Sequence, residues 1–382
     1  MAFRFKKQIF GFMDLIRFTK MVDKRRNKLD NASAAPLPVT YRVNETAKIL
    51  HPSPLDVKLV EVVQNNSDTK TFTFQLPQKA FFRAGQYAVL RAKIGESLVS
   101  RPYAISSSPY TALNEGKVCI TIKKSGYFSS YMFDSAKEGD DFTISLPFGN
   151  FFYESLKDCP HIVGIAGGSG ITPFYSMIQA IEEGSEDFKL TLFYGAKTSK
   201  DLVFKEELDK VSNDKIKIVY VLSDEKSDGY ENGFISADII KKYVDGDFTA
   251  MLCGPNAMYN FVDGELAKMG ISGKFVKHEA NCTASRDVKP QKFNLTVHIQ
   301  DCVYNIEADS CDTLLTSMEK AGLSVPARCR AGGCGFCHSK LVKGKFSIAG
   351  ADKRRLADSK FGYIHPCCSY PDSDIELIVP RG

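Results

Sequence analysis

Between about residues 55 and 150, apolar and polar positions alternate in short runs punctuated by Gly and Pro. The runs at 57–63, 71–76, 87–92, 118–123 and 142–146 read as half-buried strands, and five or more of them in sequence predict an antiparallel barrel. From about residue 160 the pattern changes. Nearly continuous apolar strands at 161–166, 189–194, 217–222 and 249–253 alternate with helical stretches, one of which carries Phe174, Met177, Ile178 and Ile181 on one face. That alternation predicts a parallel α/β unit. Lys289-Pro290 breaks the pattern again. Beyond it, 312–322 reads as a helix with Leu314, Leu315 and Met318 on one side and Gly322 as its stop.

The resulting domain plan is a basic extension and linker at 1–54, a barrel at 55–155, an α/β domain at 156–282, a second linker at 283–290 and an α+β module at 291–382. Pro36, Pro38, Pro52 and Pro54 mark the first linker. With 43% hydrophobic and 25% charged residues, the chain has the make-up of ordinary globular domains. No apolar run of membrane-spanning length occurs. Eleven cysteines in a chain of this size fit a reducing, cytoplasmic setting better than a secreted disulfide framework.

Charge alters the picture at one end only. Residues 1–30 hold nine Lys/Arg and three Asp, 9 − 3 = +6, whereas the whole chain is +5. The remainder therefore sums to −1, which leaves a nucleic-acid role unsupported. Ile9, Phe12, Met13 and Ile16 add an apolar stripe to this basic segment. The stripe is compatible with a peripheral membrane or complex contact, or with packing on its own protein.

The most specific chemistry lies near the C-terminus. Cys329, Cys334 and Cys337 are spaced C-x4-C-x2-C, and a fourth cysteine stands far downstream in Pro366-Cys367-Cys368-Ser369-Tyr370-Pro371. This is the plant-type 2Fe–2S spacing. A structural zinc site more often shows two short-spaced pairs. Gly332, Gly333 and Gly335 give the loop the backbone freedom to wrap a cluster. The segment resembles the ferredoxin pattern Cys-x-x-Tyr-Pro, which selects Cys367 as the fourth ligand and leaves Cys368 a free neighbour.

Two further elements resemble the ferredoxin–NADP reductase superfamily. Arg101-Pro102-Tyr103-Ala104-Ile105-Ser106-Ser107 is similar to its RxYSxxS flavin motif, with Ala104 where the family often has Ser or Thr. Gly126 and Ser129 match its GxxS element at a helix start, where backbone N–H groups favour a pyrophosphate and hence FAD over FMN. Arg101, Pro102, Tyr103, Ala104, Gly126, Phe128 and Ser129 are the implied flavin contacts. Gly167-Gly168-Ser169-Gly170-Ile171-Thr172-Pro173 resembles the family's GGxGxTP, and Thr172 is expected to N-cap the next helix with Pro173 at its first position. Cys253-Gly254-Pro255 with Met258 resembles CGPxxM, in which the cysteine stands close to where nicotinamide meets flavin. Gly167, Gly168, Gly170, Pro173, Gly254 and Pro255 are thus candidate nucleotide contacts, and Cys253 and Thr172 candidate catalytic residues. Asp224, at a strand end, suits a ribose 2′-OH and so NADH rather than NADPH; Lys197, Lys200 and Lys205 weigh the other way. Relatives often carry a flavin-covering aromatic residue where this chain has Ala280.

The resemblance implies an NAD(P)H-dependent oxidoreductase of three modules: an antiparallel flavin barrel, a parallel-sheet NAD domain and a β-grasp-like 2Fe–2S ferredoxin module. Electrons would pass from NADH through FAD to the cluster and on to a redox partner protein such as an oxygenase or demethylase. Two other readings fit: a non-catalytic flavin/iron–sulfur subunit of a larger complex, and a free-standing diaphorase. The ferredoxin module holds twelve Lys/Arg and ten Asp/Glu, 12 − 10 = +2, so docking through a strongly acidic face is not expected.

Overall fold

The computed structural model describes residues 12–32, 41–51, 54–95, 97–279, 286 and 288–380. Ile9, Ala280 and most of the 280–287 segment lie outside them. Helix α1 (Phe12–Asp30) is basic, and its Ile16, Phe18, Met21, Val22 and Leu29 are exposed. No helix among the described residues is long and apolar enough to cross a membrane. Within the segment expected to be linker, residues 42–50 form helix α2 (Arg42–Leu50). Its Glu45 lies in the first turn and its Lys48 in the last, complementing the helix dipole; the flanking prolines masked this nine-residue run.

The barrel is one antiparallel sheet of β1 (Leu55–Gln64), β2 (Thr69–Gln75), β3 (Tyr87–Ile94), β4 (Ser97–Ala104), β5 (Lys117–Lys123) and β6 (Asp141–Phe148), ordered β4-β3-β6-β1-β2-β5. A bridge from Ile105 to Ile120 brings the two edges together. Phe72, Phe74, Phe82, Leu90 and Ile120 fill the interior. The apolar pattern missed only β4, which carries the flavin motif. Arg101-Pro102 interrupts its alternation, yet β4 is an edge strand, where proline's missing N–H costs no ladder bond. Helix α3 (Tyr127–Asp134) lies beneath it.

The second sheet is parallel: β7 (His161–Gly167), β8 (Lys189–Ala196), β9 (Ile216–Leu222), β10 (Glu231–Asn232), β11 (Thr249–Cys253) and β12 (Val276–His278). Its order, β10-β9-β8-β7-β11-β12, reverses direction between β7 and β11. Helices α4 (Thr172–Glu182), α5 (Lys205–Leu208), α6 (Ala237–Tyr243) and α7 (Asn256–Lys268) connect the strands. Apolar residues pack against both faces of the sheet, as a doubly covered parallel sheet requires.

The C-terminal module has a five-stranded sheet, β14-β13-β19-β15-β17, and a two-stranded one, β16-β18. Its strands are β13 (Lys292–Ile299), β14 (Cys302–Asp309), β15 (Ser339–Lys343), β16 (Phe346–Ile348), β17 (Tyr363–Ile364), β18 (Ser369–Pro371) and β19 (Ile375–Ile378). Only β13 and β19 run parallel, the mark of a β-grasp. Helix α8 (Leu314–Lys320) crosses the larger sheet, and short α9 (Leu356–Lys360) follows β16. Thr313 caps α8 by accepting from the Thr316 N–H at 3.2 Å, and Gly322, at φ 76°, ends it as expected. Leu314, Leu315 and Met318 are fully buried beneath it.

Candidate functional site

The two nucleotide loops meet at the point where the parallel sheet reverses, outside the carboxyl ends of β7 and β11. Open α/β sheets place their ligands in that crevice. The loops interlock closely, and at Gly170 main chain leaves no room for a side chain. A Cβ on Gly170 would lie 2.0 Å from the Cys253 carbonyl oxygen. One on Gly167 would lie 2.7 Å from the Met258 sulfur, and one on Gly254 2.3 Å from its methyl carbon. Gly168 differs, with φ 55° and open space around it, which leaves a cradle for a pyrophosphate.

Thr172 does not cap helix α4. The chain enters the helix through a 3-10 turn at Gly168–Ile171, so Ile171 holds the cap position, and the Thr172 hydroxyl donates back to the Ser169 carbonyl at 3.2 Å. Pro173 consequently sits one position deeper, still in the first turn, where its missing N–H is harmless.

Cys253 is buried at the end of β11, and burial raises its thiol well above the usual range, so it stands neutral. Tyr259 braces this corner. Its hydroxyl accepts from the Gly254 N–H at 3.3 Å and donates to the Glu279 carbonyl at 3.1 Å. Burial pushes the half-buried Glu279 carboxyl up to about 8. Nothing in the spacing marked Glu279, because only the folded crevice removes its solvent.

Asp224 is exposed just past β9, accepts from the Ser223 hydroxyl at 2.7 Å, and has its N–H bound to the Lys197 carbonyl at 3.0 Å. Lys205 is committed elsewhere: it pairs with Asp209 and lies 4.5 Å from the Tyr220 ring centre.

In the barrel, Tyr103 is half-buried and packs on the buried Phe128, their ring centres 6.1 Å apart. Gly126 precedes α3 in extended conformation, and the Ser129 hydroxyl accepts from the N–H groups of Ser125 (2.9 Å) and Gly126 (2.8 Å). The first-turn N–H groups of α3 have no acceptor inside the helix and suit an anion. Pro102 and Ala104 occupy ladder positions opposite Val89 and Tyr87. Arg101 donates through Nη1 to the Ser100 carbonyl at 2.7 Å and to Glu319 of the ferredoxin module at 3.1 Å.

The motif strand is a hub. Past its end at Ala104, the Ser107 carbonyl accepts from the Ser176 hydroxyl at 2.7 Å and the Ser106 carbonyl from Gln179 at 2.8 Å, both donors on α4. Ser108 donates to Glu183 at 2.8 Å. The strand and the segment that follows it thus touch the helix before the cluster loop and the helix behind the nucleotide loop.

The four predicted cluster ligands converge. The thiol of Cys329 neighbours those of Cys334 and Cys367. Cys367 also meets Cys337. Thiols gathered in this way form a donor set suited to iron, which binds thiolates. Among the described residues, no three His, Cys, Asp or Glu gather as around a mononuclear ion. A two-iron cluster, with four thiolates shared over two metals, needs no such gathering. Gly332 and Gly335 adopt φ 75° and 69°, as the loop reading required. Cys368 is buried beside Cys367 and donates to the His365 carbonyl at 3.4 Å. The loop leans on the barrel: the Arg328 guanidinium lies 4.5 Å from the Phe148 ring centre and 4.0 Å from that of Phe336.

Three family models match in the same order. Residues 56–153 match an oxidoreductase FAD-binding domain, 165–264 an oxidoreductase NAD-binding domain and 297–372 a 2Fe-2S iron-sulfur cluster binding domain. The chain is 25% identical over 353 residues to the glycine betaine monooxygenase reductase subunit of Chromohalobacter salexigens, covering 84% of this chain and 94% of the relative. It is 27% identical over 335 residues to the ferredoxin reductase component of 3-ketosteroid-9-alpha-monooxygenase from Rhodococcus rhodochrous, covering 82% and 93%. NADH oxidoreductase HCR of Escherichia coli is 24% identical over 327 residues, covering 85% and 97%. Among solved structures, phthalate dioxygenase reductase shares the fold over 86% of this chain and 98% of its own, with TM-score 0.66 and 22% identity. Together these matches place the chain in the ferredoxin–NADP reductase superfamily, as an NAD(P)H-dependent, FAD-binding oxidoreductase with a C-terminal plant-type 2Fe–2S ferredoxin domain.

Proposed function

We infer that this protein takes reducing equivalents from NADH and delivers them one at a time to a separate redox protein. The observation that carries this reading is the position of β4 and the segment that follows it: the strand contacts α8 before the cluster loop, and Ser106 and Ser107 just past it contact α4 behind the nucleotide loop. A flavin converts a two-electron hydride donor to one-electron delivery, and a 2Fe–2S cluster carries the single electrons.

The chain's residues have separable tasks in this reading. Gly168 leaves room for the dinucleotide's pyrophosphate. Gly167, Gly170, Gly254 and Pro255 hold the two loops together. Neutral Cys253 closes the nicotinamide end without adding charge. Tyr103 and Phe128 shape the flavin wall, and Arg101, Gly126 and Ser129 serve its phosphates. Cys329, Cys334, Cys337 and Cys367 hold the iron. Exposed Asp224 supports NADH, since a carboxylate accepts from a ribose 2′-OH and repels a 2′-phosphate.

An oxygenase component is the acceptor class that the relatives' names suggest. The paired and interlocked nucleotide loops support an active NAD site over a passive electron-transfer subunit. The test is an anaerobic visible-absorbance titration of the pure protein with NADH and, separately, NADPH. NADH should bleach the flavin and cluster bands together. Bleaching by dithionite but by neither nucleotide would overturn the reading.

A further inference from the structure

We propose that Glu319 is a positioning residue that locks the ferredoxin module onto the flavin-motif strand, through one carboxylate shared between Arg101 of the barrel and Arg330 of the cluster loop. Glu319 belongs to α8, and its side chain is 6% exposed. Its Oε2 accepts from Arg101 Nη1 at 3.1 Å. Its Oε1 accepts from the Ser100 N–H at 3.3 Å and pairs with Arg330, whose side chain is 7% exposed. Arg330 also reaches the Ser100 hydroxyl at 3.4 Å.

Three physical facts make this a clasp rather than a surface ion pair. β4 is an edge strand, so its outward N–H groups have no neighbouring strand; at Ser100 the helix carboxylate supplies the acceptor. Two guanidinium groups converge in a buried space where, without the carboxylate, like charges would face each other in low dielectric. Arg330 lies between ligand Cys329 and Ala331, so the same carboxylate that grips the barrel also orients the loop that holds the iron. Arg101 spends only Nη1 on these contacts, which leaves its other nitrogens available to an anion. Glu319 thereby fixes where the flavin arginine points while it fixes where the cluster loop sits.

The experiment uses the full-length protein with its native cofactors and two variants, Glu319→Ala and Glu319→Gln. Amide hydrogen exchange over residues 97–104 and tryptic cleavage at Arg286 report docking. Visible absorbance and the electron paramagnetic resonance spectrum of the reduced cluster report an intact module. Glu319→Ala should exchange about tenfold faster at Ser100 and be cut faster between the modules, with cluster spectra retained. Glu319→Gln keeps an acceptor but loses the charge, and should show a smaller change in the same direction. If Glu319→Ala loses its visible bands, Glu319→Gln is decisive in its place. Wild-type exchange and cleavage in a cluster-loaded variant would overturn the proposal. So would faster exchange confined to residues 292–379, because Glu319 would then serve its own module alone. Neither readout needs nucleotide or acceptor, so this failure is distinct from failure of the NADH titration.

Discussion

Replacing Gly170 with alanine tests the claim that the two nucleotide loops interlock backbone to backbone. The new Cβ would lie 2.0 Å from the Cys253 carbonyl oxygen, 2.5 Å from its carbon and 3.0 Å from the Gly254 nitrogen. An ordinary carbon–oxygen contact is roughly 3.3 Å. The loops must therefore part by more than an ångström, and no rotamer relieves a clash with main chain. Overpacking of this kind costs about 1–3 kcal/mol, and rigid backbone puts this case at the upper end. If the same displacement opens the nucleotide crevice, NADH affinity falls about tenfold to a hundredfold, at ~1.4 kcal/mol per decade. Urea unfolding and NADH titration, run on the same preparation, read the two effects. Gly264→Ala is the control: it lies within α7 with nothing inside 4 Å of its Cβ position, so it should stabilise the helix by about 0.5–1 kcal/mol. Wild-type stability and NADH affinity in Gly170→Ala would refute the interlock.

Other outcomes follow from the site. Cys367→Ser should abolish the iron–sulfur absorbance, whereas Cys368→Ser should keep it and near-wild-type iron content; the reverse would reassign the fourth ligand. Asp224→Ala should narrow the preference for NADH over NADPH, chiefly through weaker NADH binding, and unchanged KM ratios would remove Asp224 from the ribose site. The Glu279 carboxyl titrates near 8 in the folded chain, above its ordinary value of 4.5, so the folded state binds the extra proton between those limits. Its favourable contribution is complete below about 4.5 and lost as pH rises through about 8. Urea midpoints should therefore drop more between pH 5 and pH 9 in wild type than in Glu279→Gln, and parallel profiles would show that the carboxyl is solvated.

Much of the site was legible because its chemistry is local. The cysteine spacing, the glycine loops and the helix stop at Gly322 each encode backbone geometry within a few residues. The exceptions have physical causes. β4 escaped the alternation pattern because Arg101 and Pro102 interrupt it, and only its edge position makes that proline harmless. Thr172 looked like a cap because the preceding loop gave no sign of entering the helix through a 3-10 turn. Helix α2 was hidden by prolines on both sides.

The sequence by itself nominated candidate residues for iron, flavin phosphate and dinucleotide, and determined in what order the three modules occur. Short-range spacing suffices for that, since a loop's conformation follows from its own glycines, prolines and thiols. Only the tertiary structure decided that Arg101 and Glu319, 218 residues apart, share a buried carboxylate contact. Burial alone raised Glu279, and packing alone brought Gly170 against Cys253. Desolvation and backbone clash depend on what other segments place nearby, and no local pattern carries that information.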